Sequence, residues 1–429
     1  MAKKVRFTKQ EKSWIAYHVA KSAFILTVSA TIMPIFFKDF ASKGVDTTVS
    51  TANWAFGLSL ASFCLAILTP ALGSIADQKH AKKPFLAFFI CEGIVFTGAL
   101  VFVGEGSWLL CLLLYILARI GFAGANMFYD SLLVDVTTKD RMDWVSVNGF
   151  GWGYIGGVIP FVICMAVIFT GRGDSASGDS IPAFSAKITF VITACWWLLF
   201  SLPLLLHVTQ KKAVAPSPKL ISFTNFFATF TECFHQKNVG IFLIAYFFYI
   251  NGVHTNIGMA TAYGREIGLG MPLLVAAILM IQLVAFPCTL LAGKLAKAFS
   301  TKTVLFIGII IYSIITLLSF FLPAIADDAA KGIVFGCIAF LVATSQGGMQ
   351  ALSRSYFGKL LPEQNTAKFY GFYSLFRKFA TIVGPFTMGI VARLTGHSRW
   401  GVLSMLVFFF IGAILLTRVS STASVELKQ

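Results

Sequence analysis

Twelve apolar runs, each about 20 residues long and separated by polar intervals, dominate this sequence. They fall at roughly 14–37, 53–76, 84–103, 107–133, 147–170, 186–207, 239–262, 272–293, 302–322, 332–353, 368–393 and 398–418. Wound as helix, each run is long enough to cross about 30 Å of hydrocarbon. The strands of a membrane barrel would instead alternate apolar and polar residues over about ten positions. Only 12% of the residues are charged and 57% are hydrophobic. That charged share is about half of what an ordinary soluble domain carries. The expected fold class is an all-α membrane protein with twelve transmembrane helices.

Loop charge sets the expected orientation. The intervals Met1–Lys12, Asp77–Lys83, Thr137–Val145, Thr209–Asn238, Lys294–Lys302 and Arg354–Lys368, with the C-terminal tail, hold about 22 Lys and Arg. The opposite intervals hold about eight, so both termini are expected on the cytoplasmic side of a cell membrane. The same scattering explains the formal charge of +16 without nucleic acid, whose binders gather their cations on one face. Eight cysteines occur, none as a CxxC pair and nearly all inside apolar runs, where a thiol acts as a small hydrophobe. No metal site, cofactor or disulfide framework is expected. The basic stretch Met1–Lys12 precedes a run interrupted by His18 and Lys21, with no small-residue cleavage site, so it reads as a retained first span.

The longest polar interval divides six runs from six. It carries Lys211, Lys212, Pro216, Pro218 and Lys219, then the aromatic segment Phe223–Phe234, which reads as a helix lying on the inner membrane surface. The expected organisation is a six-helix half over 1–206, a cytoplasmic linker over 207–238 and a second six-helix half over 239–429.

A repeated loop supports two related halves. Gly73 and Lys82 bracket a tight basic turn between the second and third runs, and Gly293 and Lys302 repeat the spacing between the eighth and ninth. Lys297 stands where Asp77 stood. Corresponding loops of this kind mark a duplicated membrane unit. The GxxxD pattern followed by lysines resembles the loop signature of the major facilitator superfamily. It implies two six-helix halves around a central cavity. Gly73 lets two helix ends pack tightly, and Asp77 can receive a helix N-terminus or a cation from the other half. Gly73, Asp77, Lys82 and Lys21 are the expected gating residues.

Three longer stretches carry a closer resemblance. The first is Phe128-Tyr129-Asp130-Ser131-Leu132-Leu133 with Gly149-Phe150-Gly151-Trp152-Gly153-Tyr154-Ile155-Gly156-Gly157. The second is Phe242-Leu243-Ile244-Ala245-Tyr246-Phe247-Phe248-Tyr249-Ile250-Asn251-Gly252-Val253, continued by Gly264-Arg265-Glu266-Ile267-Gly268-Leu269. The third is Gln350-Ala351-Leu352-Ser353-Arg354-Ser355 with Phe369-Tyr370-Gly371-Phe372-Tyr373-Ser374. These resemble the autophagy-related vacuolar effluxer family and its bacterial relatives, over most of the chain from about Trp14 to Gly389. The resemblance implies an amino acid or related small zwitterion as solute. The family often has Asp where this chain has His18 and Asn251, so two membrane carboxylates are replaced.

Ionisable groups at membrane depth cost about 2.5–3.5 kcal/mol on insertion scales and need partners or a watery cavity. The fourth run places Tyr115, Arg119, Asn126 and Asp130 on roughly one helical face. Glu92 lies at a depth comparable to Arg119, and the two could form a static tie or take part in binding and proton coupling. The eleventh run carries Tyr373, Arg377 and Gly384 on one face with Lys378 beside it. Either cation could instead snorkel to the interface, as could Lys21. His18 is the member of the first-run cluster with an ordinary pKa near neutrality. The seventh run carries Asn251, His254 and Thr255, the eighth Gln282 and Pro287, and the tenth Gln346 and Gln350. Gly153 and Gly157 form a small-xxx-small face, either a fixed seam or a rocking contact between halves.

The expected function is secondary active transport by alternating access, with no phosphate-binding loop for ATP and no enzyme constellation. Arg119 and Arg377 would receive an anionic group. Tyr115, Asn126, Tyr246, Asn251, His254, Gln282, Gln346 and Tyr373 complete the expected binding set. Glu92, Asp130 or His254 would carry a coupled proton. The partners expected are a small-molecule solute, a proton and the lipid bilayer, around a monomer. Alternatives left open are an amphipathic or lipid-like anionic substrate, and a sensor or scaffold that moves no solute.

Overall fold

The structure is a computed structural model that describes residues 6–46, 49–50, 53–54, 57, 72–73, 75–77, 81–171, 181–210, 231, 234–362 and 366–420. Eleven helices among the described residues are long and apolar enough to cross a membrane. We label them α1 (Lys9–Ala41), α2 (Lys82–Phe102), α3 (Trp108–Val136), α4 (Met142–Gly171), α5 (Ala183–His207), α6 (Lys237–Glu266), α7 (Met271–Ala298), α8 (Thr301–Ala324), α9 (Asp328–Leu360), α10 (Thr366–Thr395) and α11 (Ser398–Thr417). They coincide with the first expected run and with the third to the twelfth. The second run, at 53–76, lies mostly outside the described residues, as does the interfacial segment at 223–234.

The chain divides into two compact units. One is Met1–Thr137 with Trp152–Lys219, the other Thr138–Gly151 with Leu220–Gln429. Helix α4 therefore gives its first turns to the second unit and the rest to the first.

In the first unit α1 packs along α5, and α2 along α3. The α1 N-terminus is fixed by a capping box, in which Thr8 Oγ1 accepts from Glu11 N–H at 3.1 Å and Glu11 Oε2 accepts from Thr8 N–H at 2.8 Å. The other Glu11 oxygen accepts from Thr137 Oγ1 at 2.8 Å, tying the start of α1 to the end of α3. Gly121 meets the backbone of Gly93, where any Cβ would collide, so α2 and α3 run in close apposition. The glycine face of α4 is a seam inside this unit: Gly153, Gly156 and Gly157 lie against His18, Val19 and Ser22 of α1. Of the two readings of this face, the contacts match the packing seam: missing side chains here let two neighbouring helices of one unit touch.

Helix α1 is not uniformly α-helical. It winds as π-helix over Phe24–Ile32 and again over Phe37–Ala41, on either side of Met33–Phe36. Pro34 has no N–H to close the turn beneath it, which removes one α-helical bond at the junction.

In the second unit α7 and α8 pack on α9, while α6 packs on α10 and α11. Gly412 of α11 sits against the backbone of Ala245 and Tyr249, and Gly252 of α6 receives the ring of Phe409. Gly293, the repeat of Gly73, lies against Val147 in the head of α4.

Candidate functional site

The polar face expected on the fourth run exists as α3, and it turns toward α1. Tyr115 is fully buried. Its hydroxyl lies 2.9 Å from Ser29 Oγ, and its ring stacks on Trp54 with centroids 5.1 Å apart. One turn on, Arg119 Nη1 donates to Ser29 Oγ at 3.2 Å and to Tyr115 Oη at 3.3 Å. Both partners are neutral. No carboxylate lies within ion-pair distance of Arg119 among the described residues, so the static Glu92–Arg119 tie, one of the two readings of that pair, does not form. The reason is directional: the Ser29 hydroxyl of α1 and the Tyr115 hydroxyl of its own helix hold the guanidinium, whereas Glu92 Oε2 is buried on α2 without a hydrogen-bond partner.

Further along the same face, Asn126 Oδ1 accepts from Lys21 Nζ at 2.6 Å. The ammonium also stands 4.5 Å from the centroid of Tyr129, so Lys21 is a buried partner rather than a snorkelling cation. Trp14 stacks on Tyr129 at 4.3 Å and donates to its carbonyl at 2.9 Å, while His18 Nδ1 lies 3.3 Å from the Tyr129 hydroxyl. Asp130 is buried beside them.

Of the residues expected to gate, Gly73, Asp77 and Lys82 are buried. Lys82 Nζ pairs with Asp135 Oδ2 at 3.0 Å and lies 3.8 Å from Asp77 Oδ1. The repeat of this lysine works differently. Lys302 Nζ donates to the carbonyls of Thr417 at 2.9 Å and Val419 at 2.8 Å, closing the C-terminal end of α11, while Lys297 is exposed.

In the second unit the expected residues of α6 and α10 meet one another. Tyr246 and Tyr373 stack with centroids 4.3 Å apart. Nearer the middle of both helices, Gly384 lies directly against Asn251 Oδ1 and Thr255 Oγ1. Asn251 is fully buried, and neither its amide nitrogen nor its amide oxygen has a hydrogen-bond partner. His254 Nε2 and Ser374 Oγ are likewise buried and unpartnered. Arg377 is half-buried on α10. Gln346 is buried on α9, and Gln282 is half-buried on α7.

One cluster was not expected. The intervals Thr137–Val145 and Arg354–Lys368 read as charged loops, but α4 begins at Met142 and α9 continues to Leu360. Asp143 thereby accepts from Lys359 Nζ and Thr301 Oγ1, both at 2.5 Å, and from Ser355 Oγ at 2.6 Å. Arg354 donates through Nε and Nη2 to Ser146 Oγ at 3.1 and 3.0 Å and lies 4.6 Å from the Phe150 ring centroid. The available signal was the serines one residue after Arg354 and three after Asp143, hydroxyls spaced to reach a neighbouring charge.

The family described as "Vacuole effluxer Atg22 like" matches residues 43–426. A Bacillus subtilis (strain 168) protein named "Uncharacterized MFS-type transporter YxiO" is 42% identical over 430 residues, covering 99% of this chain and 98% of its own length. Autophagy-related protein 22-1 of Aspergillus fumigatus is 24% identical over 313 residues, 64% of this chain and 48% of its own length. Among solved structures, the major facilitator transporter FucP in its outward conformation aligns with a TM-score of 0.71 at 13% identity, over 96% of this chain and 98% of its own. The human organic anion transporter MFSD10 aligns with a TM-score of 0.73 at 11% identity, over 95% and 99%. These structural likenesses carry the fold.

Proposed function

The chain belongs to the vacuole effluxer Atg22-like family, and from that premise we propose that it carries an amino acid or related small zwitterion across the membrane. At the coarser level it is a multi-pass membrane protein of the major facilitator fold and a secondary transporter of a small solute. Transport in this fold proceeds by alternating access.

The observation that carries the finer reading is the state of Arg119. A guanidinium at membrane depth is costly unless something occupies it. Here two neutral hydroxyls hold one nitrogen, and no acidic counter-ion completes the set among the described residues. A planar guanidinium matches a carboxylate bidentately, so the solute's carboxylate is the natural partner. Arg377, Asn251 and His254 in the second unit are the further candidates for solute contact, with Tyr246 and Tyr373 on the same two helices. A coupled proton is assigned to Asp130, His254 or Glu92, the ionisable groups at depth that could exchange one.

The test is uptake of labelled amino acids into liposomes holding the purified protein. Wild type should show saturable uptake. Arg119→Ala should lose at least about ten-fold in kcat/KM, the loss of one charge-assisted hydrogen-bond pair. Normal transport by both Arg119→Ala and Arg377→Ala would remove the two arginines from the mechanism. No flux of any amino acid in wild type would remove the solute class.

A further inference from the structure

The π-helical stretch of α1 spans nine residues, Phe24–Ile32. π-Turns are rare, are usually single, and gather at functional sites. The register shows in two bonds that each reach five residues back: Met33 N–H to Val28 O, and Thr31 Oγ1 to Leu26 O at 2.8 Å. Pro34 then follows without an N–H to restore the α-helical turn. Ser29 sits inside this stretch. A tighter α-helical winding from Phe24 onward would bring a different side chain to the azimuth that Ser29 now holds.

That azimuth faces Arg119. Of the two hydroxyls on Arg119 Nη1, that of Tyr115 belongs to the same helix one turn away, and its ring is pinned by Trp54. Ser29 comes from the facing helix, on the segment whose register is unusual. It is therefore the exchangeable partner. Arg119 itself brings one positive charge to this place. Lys21, another cation that α1 turns toward α3, is engaged by Asn126 and the Tyr129 ring about two turns away.

We infer that Ser29 is a positioning residue that holds Arg119 Nη1 in the place of the solute's anion, and that a singly charged carboxylate displaces it as the π-helical stretch of α1 changes register. The inference rests on the Arg119 reading above and deepens it. It ties solute arrival to movement of a whole transmembrane helix, and it selects a carboxylate over a phosphate dianion.

The experiment uses the full chain in detergent and in liposomes. Probes are the twenty proteinogenic amino acids, the amide of whichever amino acid binds, and inorganic phosphate. Ser29→Ala removes the internal competitor, so the bound amino acid should gain about ten-fold in affinity, with KM falling in step. Ser29→Thr keeps the hydroxyl and should stay within about two-fold of wild type. The amide and phosphate should not bind. Hydrogen exchange over residues 24–32 should change when the amino acid is added to wild type.

If Ser29→Ala leaves affinity unchanged or weaker while Arg119→Ala abolishes binding, the inference fails and the Arg119 reading stands. An exchange profile over 24–32 that does not respond to a bound amino acid overturns the register change. Equal binding of the amide or of phosphate overturns the carboxylate assignment. If no amino acid binds wild type, both the reading and the inference fall.

Discussion

Lys359 donates to Asp143 at 2.5 Å, joining the last turn of α9 to the first turn of α4. The two side chains are 16% and 12% exposed, and Thr301 and Ser355 supply hydroxyls to the same carboxylate. A buried ion pair is weak evidence of net stabilisation, but removing one member strands the other. Lys359→Met should destabilise the protein by about 3 kcal/mol. The double variant Asp143→Asn with Lys359→Met should recover a large part of that loss. Thermal unfolding in detergent, run as a double-mutant cycle, measures the coupling. Additive single losses would mean that the pair does not interact energetically.

The other buried cluster offers a graded comparison. Lys82 lies 3.0 Å from Asp135 and 3.8 Å from Asp77. Neutralising the closer acid should cost more: Asp135→Asn about 2–3 kcal/mol, and Asp77→Asn roughly half of that. Because the lysine and both acids are more than nine-tenths buried, the loss should barely change between low and high salt. A strong salt dependence in the melting curves would show the cluster to be solvated.

Much of the architecture was legible because hydrocarbon imposes one rule on every span. The eleven described helices fall on apolar runs read from sequence alone, and of the four residues that helical phase groups on one face, Tyr115, Arg119 and Asn126 each bond to a side chain of α1. What failed was partner choice. Phase places Glu92 and Arg119 at similar depth, yet it cannot say that Ser29 and Tyr115 would hold the guanidinium. Loop charge was misread at helix ends. Arg354 and Lys359 fall in an interval read as a charged inner loop, and Asp143 in another, but all three lie on helices with hydroxyls at 301, 355 and 146 as partners. The π-helical stretch left no pattern beyond Pro34, because register inside a continuous apolar run carries no sequence period of its own.

Two glycines on α10 should respond in opposite directions. A Cβ at Gly384 would run into Thr255 Oγ1 and Asn251 Oδ1, whereas a Cβ at Gly389 meets nothing within 4 Å. Gly384→Ala should therefore lose about 1–3 kcal/mol through overpacking. Gly389→Ala should gain up to about 1 kcal/mol, the difference in helix propensity. Melting temperatures of the two variants decide it, and equal shifts would contradict the contact.

Asn251 gives the sharpest separation of stability from function. Its amide is fully buried on α6 with donor and acceptor both unpartnered, a cost of about 1–3 kcal/mol that a folded chain ordinarily avoids. Leucine has nearly the same shape and no polar atoms. Asn251→Leu should raise stability by about 1–2 kcal/mol and should lower transport by at least ten-fold. Such a trade is expected only where a polar group is kept for what it binds, here a hydrogen-bonding part of the solute or a water that accompanies it. Paired melting and liposome uptake on this one variant resolve the matter. A protein that is destabilised and inactive would mark the amide as structural, and one that is stabilised and fully active would show that Asn251 has no part in transport.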